Sequence, residues 1–162
     1  MVLALSTLGG CKEGAKPQAR TEATATGEAP AGVTISAARL VLPAVRNNPG
    51  AAYFTVTNNS SGTKAISAIS INGAAKTEMH QTVGIEMNSV DRVDIAPGTS
   101  IAFEPGKFHV MAFDLDSGLR PGGQTTLTVQ FADGGKAQSS MTVEAAGAAA
   151  DAGAMHDMGA MH

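Results

Sequence analysis

The chain contains no tryptophan, a single tyrosine and a single cysteine in 162 residues, and charged residues make up only 15% of it. With a net charge of -3, no basic cluster and almost no stacking surface, nucleic acid is excluded as a partner. The carboxylates Glu78, Glu86, Asp91, Asp94, Glu104, Asp114 and Asp116 are scattered over strands and turns. No Ser or Cys nucleophile is arranged beside a base, and no glycine-rich phosphate loop is present, so an enzyme is not indicated. Past the opening residues no stretch is long and apolar enough to span a membrane.

What the chain does have is histidine beside methionine. Each of its four histidines has a methionine within two positions: Met79-His80, His109-Val110-Met111, Met155-His156 and Met161-His162. Imidazole suits copper among several metals, and a thioether selects for soft ions such as Cu(I).

The N-terminus reads Met1-Val2-Leu3-Ala4-Leu5-Ser6-Thr7-Leu8-Gly9-Gly10-Cys11. Leu8-Gly9-Gly10-Cys11 resembles the lipobox of bacterial lipoproteins, in which the leader is cut before a cysteine that is then acylated. Residues 1–10 are expected to be a signal-peptide remnant, with the true start upstream, and Cys11 the lipid anchor on the periplasmic side of a bacterial envelope. Residues 11–32 contain no large apolar side chain after Cys11, cannot offset the entropy of ordering, and read as a flexible tether.

From Val33 to Glu144 the pattern is that of one all-β domain. Nine strands are expected at Thr34–Leu42, Ala52–Thr57, Lys64–Ile71, Lys76–Gln81, Ile85–Val93, Ser100–Phe103, Phe108–Leu115, Thr125–Phe131 and Gln138–Glu144. Pro97-Gly98, Pro105-Gly106 and Pro121-Gly122 each place the preset negative φ of proline before a glycine that accepts positive φ, the requirement of a type II turn. Asp133-Gly134-Gly135 predicts a hairpin joining the last two strands.

Within Phe108–Leu115, His109 and Met111 fall on one strand face, and Phe108, Val110 and Ala112 on the other. A reversal symmetric about Val83-Gly84 would pair His80 with Met87 directly across a second hairpin. Two imidazoles and two thioethers, with no thiolate or carboxylate, suit Cu(I) better than zinc. A blue-copper electron-transfer site would need a cysteine ligand, and the sole cysteine lies in the leader region. Met79 and Met141 read as core filling.

These intervals carry a resemblance. Twenty-one residues separate Met87 from His109-Val110-Met111, which follows Gly106-Lys107-Phe108. This arrangement resembles the periplasmic copper chaperone family called PCuAC over about Val33 to Val143, although the first hairpin is about four residues shorter here than in the family. The resemblance implies a cupredoxin-like Greek-key β-sandwich that binds Cu(I) near its surface through His80, Met87, His109 and Met111. It also implies delivery toward the dinuclear copper site of cytochrome c oxidase, with subunit II as acceptor, beside Sco-type proteins.

Residues 145–162 form a low-complexity tail. Met155, His156, Met158, Met161 and His162 are candidates for a second copper site, taking Cu(II) or a further copper ion, on a segment expected to be disordered without metal. The alternatives are a copper storage or resistance lipoprotein, or a structural β-sandwich lipoprotein with incidental His and Met.

Overall fold

The computed structural model describes residues 32–147. These residues form ten strands: β1 (Val33–Val41), β2 (Gly50–Asn58), β3 (Lys64–Ile71), β4 (Ala74–Val83), β5 (Glu86–Ser89), β6 (Val93–Ile95), β7 (Thr99–Phe103), β8 (Phe108–Leu115), β9 (Gln124–Phe131) and β10 (Lys136–Glu144). No helix occurs among the described residues. Hydrogen bonds link the strands into one open sheet in the order β5-β4-β8-β7-β2-β1-β10-β9-β3-β6. The sheet curls so that β3 returns against β4 and encloses a single core. The expectation of an all-β fold is borne out.

Alternation decides which side chains enter that core. Along β2, Ala52, Phe54, Val56 and Asn58 point inward, and along β9, Thr125, Leu127, Val129 and Phe131 do so. Phe54 and Phe103 stack on neighbouring strands with ring centroids 4.5 Å apart. Met79 and Met141 are buried, as core-filling methionines should be. Of the two polar side chains in these β2 and β9 rows, Thr125 donates its hydroxyl to the Asn72 carbonyl, and Asn58, fully buried, has its hydrogen-bonding capacity met. Its amide nitrogen donates to the carbonyls of Gly62 and Ile95, and its Oδ1 accepts from the Ser60 amide and hydroxyl.

The three Pro-Gly turns occur where expected, with φ of +69° at Gly98, +79° at Gly106 and +83° at Gly122. The β9–β10 hairpin also forms around Asp133-Gly134-Gly135.

One expected strand divides. Ile85–Val93 is two strands that serve opposite ends of the sheet, since β5 pairs with β4 and β6 with β3. The chain crosses between them at Val90-Asp91-Arg92, where no proline or glycine signals a break.

Candidate metal centre

β4 carries the centre because it lies between β5 and β8. Against β8 its register pairs His80 with His109, Glu78 with Met111 and Lys76 with Phe113. Directly opposed residues share a face, so His80, His109 and Met111 project together, away from the core side taken by Met79, Val110 and Ala112. The two imidazole centroids are 5.8 Å apart with a 47° tilt.

The hairpin on the other side of β4 differs from expectation. Val83 pairs with Glu86, Thr82 with Met87 and His80 with Ser89, so Met87 does not face His80. The turn is centred on Gly84-Ile85, one residue further along than Val83-Gly84, and each step of the centre slides the pairing by two. Gly84, at φ +64°, supplies the positive φ that a primed two-residue turn demands at its first central position. A slide of two preserves the face. Met87 therefore stays on the side of His80 as a diagonal neighbour, more than half exposed at 55%.

Hydrogen bonding assigns the ring nitrogens. His109 is buried, and its Nδ1 lies 3.1 Å from the Lys107 carbonyl oxygen. A carbonyl only accepts, so Nδ1 carries the proton and the lone pair of the neutral ring is on Nε2. His80 has the opposite arrangement, with Nε2 3.2 Å from Glu78 Oε2. Its Nδ1 is the one buried side-chain polar atom without a partner among the described residues. Such an orphan needs an explanation, and a role as donor to a cation is one that fits an imidazole lone pair.

The contact of Glu78 with His80 was not anticipated from the sequence. The signal available was the position of Glu78 two residues before His80, which places both on one strand face. Lys76 Nζ lies 2.6 Å from Glu78 Oε1. The hydrogen bond from Lys76, and then that from His80, hold the Glu78 carboxyl below its ordinary value of 4.5.

Among the described residues no three His, Cys, Asp or Glu side chains come together to hold a metal ion. An ion at His80 and His109 would thus draw on the thioethers of Met111 and Met87, a soft donor set that fits Cu(I). Cys11 and the tail residues Met155, His156, Met158, Met161 and His162 lie outside the described residues.

A model of the LpqE-like family, described as "Putative lipoprotein LpqE-like", matches residues 33–143. The chain belongs to the LpqE-like family. A relative of this LpqE-like chain, "Putative lipoprotein Lxx21020" of Leifsonia xyli subsp. xyli, is 27% identical over 99 residues, covering 58% of the chain. The chain spans 60% of that relative's length.

Among solved structures, the LpqE-like chain resembles the "Copper-bound PCuAC domain from PmoF2". The TM-score is 0.61 at 18% identity, covering 70% of the chain and 93% of that domain. It also resembles the "Solution structure of CuI-DR1885 from Deinococcus Radiodurans", with a TM-score of 0.59 at 24% identity, covering 72% of the chain and 80% of that protein. The fold implied by the sequence resemblance is borne out by these likenesses.

Proposed function

We propose that this LpqE-like protein is a copper chaperone of the bacterial envelope that carries Cu(I) as cargo on His80, Met87, His109 and Met111. The observation that carries the reading is the pairing of His80 with His109, with Met111 beside them on the same face and an unpartnered Nδ1 on His80. Support comes from two domains of like fold, those of PmoF2 and DR1885, whose structures are of copper-bound forms.

Neutral imidazole and thioether donors leave a bound Cu(I) cationic, and the exposed Met87 is the donor an incoming ligand can displace first. Successive exchange of ligands would pass the ion on without release to water. The acceptor we propose is a cuproprotein, with the dinuclear copper site of cytochrome c oxidase subunit II first and a Sco-type protein alongside. Acylated Cys11 would tether the domain to the membrane, and the His- and Met-rich tail would take a second copper.

The test is a Cu(I) titration against a competing chelator for wild type and for His109→Ala combined with Met111→Ala. Tight binding lost in the double variant is expected. No tight binding by wild type, or no change in the variant, removes the reading. Transfer from the loaded chain to a metal-free oxidase subunit II fragment then separates delivery from storage, and deletion of residues 153–162 is expected to lower the copper stoichiometry.

A further inference from the structure

Lys76, Glu78 and His80 alternate along β4 and form one row on its outer face. Glu78 is engaged at both oxygens: Oε1 accepts from Lys76 Nζ at 2.6 Å, and Oε2 accepts from His80 Nε2 at 3.2 Å. Lys76 is itself steadied from β8, its ammonium lying 5.7 Å from the centre of the Phe113 ring that faces it. An ionised carboxylate offers acceptors only, so the proton of the Glu78–His80 bond belongs to Nε2. The lone pair of His80 is left on Nδ1, the orphaned atom.

From this geometry we infer that Glu78 is a positioning residue, which, anchored by Lys76, fixes the tautomer and ring orientation of His80 so that Nδ1 is the nitrogen offered to copper. The purpose of this arrangement rests on the copper reading, while the arrangement itself does not. A carboxylate that receives the second N–H of a ligating imidazole holds the ring and raises its basicity, and loss of such a partner typically costs roughly 10–100-fold in metal affinity. Glu78 would thus act on copper only through His80.

Two measurements on the full chain test this. In metal-free protein with isotope-labelled histidine, held above the pH at which imidazole is protonated, nitrogen–proton correlation spectra should show His80 protonated at Nε2. That proton should be protected from exchange with water. Glu78→Ala should lose the protection, and Glu78→Gln, whose amide oxygen still accepts, should retain it. In the Cu(I) competition, Glu78→Ala should weaken binding by roughly 10–100-fold and Glu78→Gln by less.

A wild-type His80 protonated at Nδ1, or unchanged protection in Glu78→Ala, overturns the inference. So does tighter Cu(I) binding by Glu78→Ala, which would make the carboxylate an obstruction at the ligating nitrogen. If wild type binds no Cu(I), the copper reading fails alone, because the metal-free spectra still decide what Glu78 does to His80.

Discussion

His80 and His109 are direct partners across the β4–β8 ladder, so their separation is set by backbone register and not by a loop. On the copper reading, two donors held by one ladder act as a unit. Each single His→Ala change is expected to weaken Cu(I) binding by more than the roughly 10–100-fold typical of an outer partner. The double change should cost less than the sum, giving a coupling free energy of about 0.5–3 kcal/mol in a double-mutant cycle. Strict additivity would show that the two rings do not share an ion.

Methionines on the two faces of the sheet should separate cleanly. Met87→Leu removes sulfur at an exposed position, and is expected to weaken Cu(I) binding while changing unfolding stability by no more than about 0.5 kcal/mol. Met141→Ala empties a fully buried position and should cost about 2–5 kcal/mol in denaturant unfolding with Cu(I) affinity unchanged. Equal effects of the two changes on affinity would argue against Met87 as a ligand.

Gly84 tests the hairpin that presents Met87. A Cβ there meets no atom within 4 Å, so the cost of substitution is the backbone's positive φ alone. Gly84→Ala should destabilise the turn by about 1 kcal/mol, and Gly84→Asn, which tolerates that conformation, by less. Amide exchange in β5 reads this directly, and faster exchange should accompany weaker Cu(I) binding.

Asn58 tests the core away from the centre. Asn58→Ala leaves the Ile95 carbonyl without this donor in a buried setting and is expected to cost about 1–3 kcal/mol by chemical denaturation. Cu(I) affinity should not change, since no residue of the centre contacts this network.

Asp133 supplies a pH dependence. Its carboxyl is held below the ordinary value of 3.8, first by the hydrogen bond from Lys64 and then by that from the Gly135 amide. A depressed carboxylate contributes stability above its unfolded value and loses it as pH falls through the folded one. Asp133→Asn should therefore lower the urea midpoint slightly at pH 7, and the difference from wild type should shrink as pH falls below the ordinary value of 3.8 and vanish once it has passed through the lowered folded-state value. A difference that grows on acidification would show that the pairing with Lys64 is not its source.

Strand periodicity made much of this legible. His109 and Met111 could be put on one face because the side-chain period of a strand is two, and the three Pro-Gly turns could be placed because their φ requirements are local. The pairing of β4 with β8 was not legible, since it joins segments far apart in sequence and is set by core packing. It is the pairing that brings His80 to His109. The hairpin register was off by two because Gly84 can occupy either central position of a reversal, and the correct one is fixed by the ladder with β5. Glu78 was passed over because a carboxylate has meaning here only through the atom it bonds.

The alternation of β8 puts the proposed copper ligands and the core residues on opposite sides of the same eight residues. A slip of one position would drive His109 and Met111 inward and turn Val110 and Ala112 out. A misthreaded molecule would be blind to copper on the proposed site, so titration stoichiometry in any preparation would also count the correctly threaded fraction. Cargo loading would thus double as quality control on the sheet.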